Sequence, residues 1–326
     1  SSGGGRVKLT LHVGLPKTAT TTIQHVLEAS KPALADRGVL YPGTTAGQLD
    51  LVRRAQFDRS GSSTAEGSLG AAVERLSVEI REQRPEQVVL SCEHMSLVPA
   101  RALMRLKQVL VERLPEVHDI GVLCYVREPV GFATSLCQQR LKSGTARLAE
   151  FSAAPWPFSL RDILLKHIAC FGRDAVEVRH FHPDQMVNGN VVDDFLSAIG
   201  LRGFPLEVPV PVLNPSLTQA GALVADALAE LVPRDQRRGG CKAAYKRMLE
   251  AVEGPKFVLP MAVQLRIIEG ARTDLEFIHR EFGLEIVPEP VAPEILPGLD
   301  AAAAREMAQG IVETARRQAA ANRDAS

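Results

Sequence analysis

The sequence lacks an excess charge of either sign, closely paired cysteines and long apolar runs. Lysine plus arginine and aspartate plus glutamate number 38 each in 326 residues, which disfavours nucleic acid as a partner but allows a local anion site. The five cysteines are widely spaced and form no C-x-x-C pair, so we expect reduced thiols in a cytoplasmic protein. No apolar run is long enough to cross a bilayer, so we expect no transmembrane segment.

Apolar segments of strand length alternate with segments of helical periodicity in the first two thirds of the chain. The predicted strands are Val7–Val13, Gln87–Ser91, Ile120–Val126 and Ala175–Phe181. The predicted helices are Thr20–Asp36, Leu69–Gln83, Ala100–Leu114, Val130–Lys142 and Phe158–Phe171. This alternation favours an α/β fold with a parallel sheet covered on both faces.

The remaining segments suggest where the chain divides. The stretch Pro42–Gly70 is rich in Gly, Ser and Thr and predicts a mobile loop, and the proline-rich stretch Pro205–Pro215 predicts a connector. Further helices are predicted at Thr218–Leu231, Cys241–Glu253 and Pro260–Glu281 and in an alanine-rich tail. We therefore expect a flexible leader or tag remnant at 1–5, an α/β core at 6–204 and a helical part at 205–326.

A turn that holds one lysine and four threonines joins the first predicted strand to a helix. Backbone N–H groups and the helix dipole at such a turn favour a bound phosphate or sulfate. Lys17 adds a point charge, and further hydrogen bonds can come from the hydroxyls of Thr18, Thr20, Thr21 and Thr22. The alternative is an ordinary strand-to-helix connection with a solvated lysine. The turn is not a Walker A motif, because Lys17 follows Gly14 by three positions and no second glycine precedes it.

A second polar cluster follows the third predicted strand. Arg127 ends that strand, Glu128 precedes a proline that opens a helix, and Ser135 lies two turns into it. Ligands of open α/β sheets bind beyond the carboxyl ends of the strands, so Arg127 and Lys17 should share one edge. Arg127 and Ser135 would then clamp a second phosphate. Alternatively, Arg127 pairs with Glu128 or another acid and Ser135 faces solvent.

Taken together, the two clusters resemble the motifs of PAPS-dependent sulfotransferases. The segment Leu15-Pro16-Lys17-Thr18-Ala19-Thr20-Thr21 is similar to the 5′-phosphosulfate loop of that family, P-K-[ST]-G-T-T. Tyr125-Val126-Arg127-Glu128-Pro129, continued to Ser135, is similar to its 3′-phosphate motif, R-x-P with a later serine. The resemblance covers about residues 7–201. It implies a P-loop-like three-layer sandwich with a central parallel sheet and a helical C-terminal part, PAPS as co-substrate and no metal.

The resemblance also assigns roles to individual residues. It implies that the 5′-phosphosulfate is held by Lys17, Thr18, Thr20 and Thr21, and the 3′-phosphate by Arg127 and Ser135. The predicted cofactor-binding loop comprises Pro16, Lys17, Thr18, Ala19, Thr20, Thr21 and Thr22. Ala19 replaces the usual glycine, so a positive φ there would be strained. Thr22 stands where small-molecule sulfotransferases carry an adenine-stacking tryptophan, so the chain looks more like bacterial and Golgi-type carbohydrate sulfotransferases.

The segment Leu90-Ser91-Cys92-Glu93-His94, directly after the second predicted strand, supplies two candidates for the catalytic base. Glycan-modifying sulfotransferases place a glutamate after the equivalent strand, which favours Glu93, whereas small-molecule sulfotransferases place a histidine nearby, which keeps His94 open. Lys17 would stabilise the departing phosphate, by analogy with phosphoryl transfer. The alternative is that Glu93 caps the next segment and His94 is a satisfied polar residue.

Three other features favour structural roles. His180 and His182 form H-x-H without a third ligand at a useful spacing, which argues against a metal site. Arg237-Arg238-Gly239-Gly240 is typical of a solvated charge run. Trp156 and Phe158 could stack on a sugar ring, but packing beneath their loop is the favoured interpretation.

The leading hypothesis is a PAPS-dependent sulfotransferase whose acceptor is a hydroxyl of a glycan or glycolipid. An aromatic content of 5% favours such a polar acceptor over a flat phenol, and a peptide tyrosine stays possible. Specificity for the acceptor is expected to come from three segments: Pro42–Gly70, Ser143–Pro157 and the helical part. A homo-oligomer is a further alternative, since the helical part could form a dimer interface. The alternatives are a nucleotide-dependent kinase with a divergent phosphate loop and a non-catalytic binding protein of sulfotransferase type.

Overall fold

A computed structural model describes residues 6–57, 67–153, 158–206, 216–233, 235, 240–294 and 300–324. Its strands are β1 (Val7–Val13), β2 (Val39–Leu40), β3 (Gln87–Ser91), β4 (Val117–Val126) and β5 (Val176–His180). The helices before β5 are α1 (Thr20–Ala29), α2 (Lys31–Ala35), α3 (Thr45–Phe57), α4 (Leu69–Gln83), α5 (Ala100–Arg113), α6 (Pro129–Ser143), α7 (Leu148–Ala153) and α8 (Leu160–Phe171). The later ones are α9 (Val191–Ala198), α10 (Gln219–Leu231), α11 (Gly240–Glu250), α12 (Met261–Phe282) and α13 (Ala301–Asp324).

The five strands form one parallel sheet in the order β2-β3-β1-β4-β5. The central strand β1 pairs with β3 on one side and with β4 on the other, so the direction of winding changes beside β1. In such a sheet the ligand crevice lies outside the carboxyl ends of the strands at this switch point. The segments that follow β1, β3 and β4 therefore meet at one edge.

Helices cover both faces of the sheet, which confirms the predicted α/β class. On one face, α1 and α9 pack against side chains of β3 and β4 such as Val89, Leu123 and Tyr125. On the other face, α8 packs against β4 and β5, and α5 contacts both α4 and α8. The buried runs of β1 and β3 are typical of parallel strands with two covered faces.

The chain divides into two compact units, each made of three separate segments. Their boundaries therefore differ from the single boundary expected near residue 205. The first, called here the sheet unit, comprises residues up to Arg127, Ser159–Leu213 and Thr273–Ile286. The second, called the helical unit, comprises Glu128–Phe158, Asn214–Arg272 and residues from Val287 onward. Helix α6 thus belongs to the helical unit, although it begins only three residues after the end of β4.

Two predicted segments are corrected. The single helix predicted over Thr20–Asp36 is broken at Ser30, because Pro32 cannot donate a backbone hydrogen bond within a continuous helix and sits instead at the start of α2. The mobile loop predicted over Pro42–Gly70 contains the 13-residue helix α3. Its buried positions are spaced as one helical face, at Gln48, Leu51, Val52 and Ala55, and residues 58–66 lie outside the described part.

Helix α9, which the sequence analysis missed, is held to the sheet by a buried carboxylate. Asp194 is 1% exposed and accepts hydrogen bonds from the Tyr125 hydroxyl at 2.7 Å and from the Arg179 guanidinium at 2.6 and 2.8 Å. Burial alone would raise the pKa of Asp194, but the hydrogen bonds from Arg179 and Tyr125 outweigh it and leave the pKa below its ordinary value. The network joins β4, β5 and α9. It holds β4 near its carboxyl end, two residues before Arg127.

The helical unit has its own core and its own buried polar contacts. Residues of α6, α10, α11, α12 and α13 form one apolar cluster. Lys142 of α6 pairs with Glu250 of α11 at 2.6 Å, and both side chains are largely buried. Arg147 makes a bidentate pair with Asp226 at 2.9 and 2.8 Å. The segment Ser143–Pro157, from which specificity is expected, includes the short helix α7.

Candidate functional site

The loop between β1 and α1 carries two non-glycine residues in the left-handed region. Lys17 has φ of 70° and Ala19 has φ of 58°, on either side of Thr18. Alternation of this kind turns successive N–H groups toward one point and forms an anion-binding concavity. Each such residue costs on the order of 1–3 kcal/mol of strain, which is typical of functional loops. The backbone thus has the form expected of an anion cradle.

Gly14 allows the close approach of α1 to the end of β1. A Cβ at this position would lie 1.9 Å from the Thr20 Oγ1 and 2.8 Å from the Thr20 Cβ. Rotation of the Thr20 side chain cannot relieve the second contact, since Cβ does not move with χ1. Glycine at position 14 is therefore required to place the first turn of α1 against the loop.

The threonines of the loop are not equivalent. Thr18 is fully buried, and its hydroxyl donates to the Leu15 carbonyl at 2.8 Å, so this hydroxyl hydrogen tightens the turn. Thr20 is 4% exposed, and its buried Oγ1 has no hydrogen-bond partner among the residues that the structure describes. Thr21 is exposed and Thr22 is buried. An orphaned hydroxyl beside the first turn of a helix is a group that a bound oxyanion would satisfy.

Replacing Ala19 with glycine should raise the free energy of unfolding by about 0.5–1 kcal/mol. Glycine removes the left-handed strain at a φ of 58° and loses somewhat more entropy on folding. Chemical denaturation of the variant and of the native sequence measures the difference. The same change at Ala29, the last residue of α1, should destabilise the chain. A destabilised Ala19→Gly variant would contradict the strained geometry of the loop.

The structure brings Arg127 to this loop across 110 residues of sequence. Its Nη1 donates to the Lys17 carbonyl at 3.4 Å, and the guanidinium carbon lies 5.7 Å from the centre of the Phe181 ring. Phe181 follows β5, and its N–H donates to the Val126 carbonyl at 2.7 Å. Arg127 therefore lies beside the loop after β1 in the sheet unit, and Phe181 is a neighbour that sequence analysis did not identify.

Glu128 and Ser135 belong to α6. The Glu128 carboxylate caps this helix by accepting from the N–H groups of Val130, at 2.9 Å, and Gly131. Ser135 is half-buried on the same helix, in the helical unit. The part of Ser135 in a 3′-phosphate site stays a prediction.

Glu93 and His94 open a short 3₁₀ turn, Glu93–Ser96, directly after β3. The Glu93 residue as a whole is exposed. Protein around its carboxyl group nevertheless excludes water, and this desolvation raises its pKa. The nearby Lys17 ammonium lowers the pKa and so opposes the shift. Burial lowers the pKa of His94, and Arg53 lowers it further. The His94 Nε2 lies 3.3 Å from the Gln56 Oε1. Glu93 is therefore the candidate that shares the neighbourhood of Lys17.

Hydrogen bonds from distant side chains fix the end of β3. The Ser91 N–H donates to Gln48 Oε1 at 2.7 Å, and the Ser91 carbonyl accepts from Gln24 Nε2 at 2.7 Å. The Ser91 hydroxyl contacts His12 Nδ1 at 2.8 Å. His12 is fully buried, and this burial lowers its pKa to about 3. These contacts hold the strand that places Glu93, and sequence analysis missed all three partners of Ser91 because they are far away in sequence.

The remaining candidates make contacts that fit structural roles or lie outside the described residues. The rings of His180 and His182 are stacked 5.4 Å apart, and no group of three metal-ligating side chains occurs in the described ranges. Phe158 packs on Phe132 at 4.7 Å. Trp156, the leader 1–5, the connector 207–215 and residues 237–239 lie outside the described residues. All five cysteines are free thiols, and none of the described helices combines the length and apolarity needed to cross a membrane.

Comparisons with protein-family models, curated proteins and solved structures found no match to this chain. The geometry of the loop after β1 and of its neighbours is therefore the basis for assigning a function.

Proposed function

We propose that this chain is a sulfotransferase that moves a sulfuryl group from PAPS to a hydroxyl of a saccharide or glycolipid. The observation that carries the proposal is the convergence of three charged groups at one sheet edge. Arg127 contacts the Lys17 carbonyl at 3.4 Å, and Glu93 is close enough to Lys17 for the ammonium to affect its pKa. The strained loop and the unpartnered Thr20 hydroxyl fit an oxyanion between them.

Each group has a distinct task in the proposed reaction. PAPS supplies a sulfur atom whose bond to the bridging phosphate oxygen breaks as the acceptor oxygen attacks in line. Lys17 neutralises the charge that develops on that bridging oxygen, and the N–H groups of the loop bind the phosphate. Glu93 accepts the proton from the acceptor hydroxyl. Arg127 binds the 3′-phosphate.

The nucleotide preference tests the donor. Saturating 3′-phosphoadenosine 5′-phosphate, at about 100 times its Kd, should add about 2.7 kcal/mol to the folded state, whereas ADP, which lacks the 3′-phosphate, should add much less. Thermal denaturation measures both. Arg127→Ala should weaken binding of the 3′-phosphorylated nucleotide by about 10- to 100-fold, because a charge-assisted hydrogen bond is lost. Arg202→Ala, at an exposed turn, is the matched control.

A different nucleotide preference would change the assignment. Stabilisation by ATP with Mg²⁺ and not by the 3′-phosphorylated nucleotide would favour the kinase alternative. Binding of PAPS without any hydrolysis or transfer, with every acceptor tried, would favour a non-catalytic binding protein. Equal stabilisation by ADP and by the 3′-phosphorylated nucleotide would remove Arg127 from the site.

Glu93→Gln should lower kcat about 100-fold and abolish the acidic limb of the pH–rate profile. The amide cannot accept the proton, and general-base catalysis typically contributes on the order of 10²–10⁴. Because burial raises the pKa of Glu93, the acidic limb of the native enzyme should lie above the usual range of a glutamate. His94→Gln, one residue away, should change kcat by less than about fivefold. The reverse order of the two effects would make His94 the base.

A further inference from the structure

A cavity of about 630 Å³ opens in the sheet unit between α3 and α5. Its walls are formed by Gln56 and Phe57 at the end of α3 and by Arg101 and Arg105 on α5. A volume of this size is within the range of small-molecule binding sites. Phe57 is 71% exposed, so an aromatic ring is available to a ligand on one wall.

The two arginines of the cavity form an unusual arrangement on α5. They are four residues apart and so lie on one face of the helix, where like charges repel. Arg101 is also in the first turn of α5, where the helix dipole disfavours a cation. Neither side chain takes part in an ion pair in the described part of the chain. A bound anion would relieve both unfavourable terms.

A hydrogen bond holds Arg105 in place, and another residue of the cavity wall contacts His94, which follows Glu93 in the sequence. Arg105 Nη1 donates to the Ala55 carbonyl of α3 at 2.8 Å, which holds the guanidinium at the cavity wall. Gln56, on the opposite wall, lies 3.3 Å from His94 Nε2. Arg53, one turn before Gln56 on α3, is close enough to His94 to lower its pKa. Two arginines therefore give the cavity a positive lining. Gln56 of that lining contacts His94, in the segment that also carries Glu93.

We propose that this cavity binds an oxyanion of the saccharide acceptor, a uronate carboxylate or a sulfate ester, and so places a neighbouring hydroxyl at Glu93. The inference rests on the proposed sulfuryl transfer and narrows its acceptor to anionic saccharides. Guanidinium groups bind such oxyanions bidentately. The exposed ring of Phe57 would pack against the sugar that carries the anion.

Calorimetric titration of the full chain, loaded with 3′-phosphoadenosine 5′-phosphate, tests whether the cavity binds an oxyanion of the acceptor. The probes are a sulfated uronate-hexosamine tetrasaccharide, the same tetrasaccharide without sulfate, and neutral chitotetraose. We expect the charged probes to bind at least about tenfold more tightly than chitotetraose. Preference for the sulfated probe over the desulfated one would identify sulfate as the recognised group, and equal binding of these two would identify the carboxylate.

The double variant Arg101→Gln/Arg105→Gln should lose the preference for charged probes, with unchanged nucleotide affinity as proof of folding. Arg101→Gln alone, at an exposed position, serves if the double variant does not fold. Arg75→Gln, on the exposed side of α4, should keep the preference. Equal affinity for charged and neutral probes, no binding of any charged probe, or a preference that survives the double variant would overturn the inference. If the native chain binds no nucleotide, the proposed function fails, and the same titration without nucleotide still decides whether the cavity binds oxyanions.

Discussion

Lys17→Met should lower the rate of sulfuryl transfer on the order of 1000-fold. Methionine keeps the length of the side chain but removes the charge that would stabilise the departing phosphate, and loss of one such group commonly costs 10²–10³ in rate. The loss should appear in kcat rather than in KM, because the charge on the bridging oxygen develops only in the transition state. Single-turnover transfer from labelled PAPS measures it.

The matched control for this experiment is Lys8→Met. Lys8 is the exposed residue of β1, so its replacement changes the net charge by the same amount away from the carboxyl end of the strand. Lys8→Met should keep near-native turnover. A Lys17→Met variant with turnover within about fivefold of the native rate would exclude transition-state stabilisation by Lys17, whatever the nucleotide affinity of the chain.

Lowering the pH from 7 to 4 should remove about 3 kcal/mol of unfolding free energy through His12 alone. In the folded chain His12 is fully buried and its pKa is lowered to about 3, whereas an unfolded histidine titrates near 6.5. The unfolded state therefore binds more protons as the pH falls. This contribution to stability is fully present above pH 6.5 and is lost as the pH falls from there toward 3. It is a large share of a typical unfolding free energy of about 5–15 kcal/mol.

Urea denaturation at several pH values separates His12 from the other buried groups. His12→Gln should be less stable than the native chain at pH 7 but should lose less stability on acidification, because glutamine does not titrate. Asp194, whose pKa is lowered by its hydrogen bonds from Arg179 and Tyr125, and His167, whose pKa is lowered by burial, remain in both proteins. His25→Gln, on the exposed face of α1, is the control. Identical pH slopes for His12→Gln and the native chain would show that His12 is not buried as a neutral ring.

Elements with strong local signals could be predicted from the sequence. Strands β1 and β3 and helix α4 have the predicted bounds. The strands are short runs rich in residues that favour β-structure, and Ser68 is a residue type that favours the start of a helix. The meeting of Lys17 with Arg127 was also expected, since parallel strands bring their carboxyl ends to one edge. Long-range geometry followed here from a local pattern and from one rule of topology.

Features that depend on single side-chain contacts could not be predicted. Helix α3 was missed because one position of its buried face is Gln48, a polar residue whose buried amide is satisfied by Pro42 and by Ser91, the latter 43 residues away. Thr18 was expected to face an anion, but its hydroxyl donates to the Leu15 carbonyl, and no sequence signal distinguishes it from Thr20. In the sequence alone, Arg101 and Arg105 are indistinguishable from solvated surface arginines. Their cavity exists only because α3 forms its opposite wall.

The position of β1 between β3 and β4 also determines when the anion site can exist. Lys17 and Arg127 are 110 residues apart, and parallel pairing of their strands requires long crossovers that fold slowly. At roughly 5–20 residues per second, Arg127 is synthesised roughly 5–20 s after Lys17. During that interval the nascent chain contains Lys17 but not Arg127, so the anion site cannot be complete. Nucleotide would stabilise the finished fold and would not assist its formation.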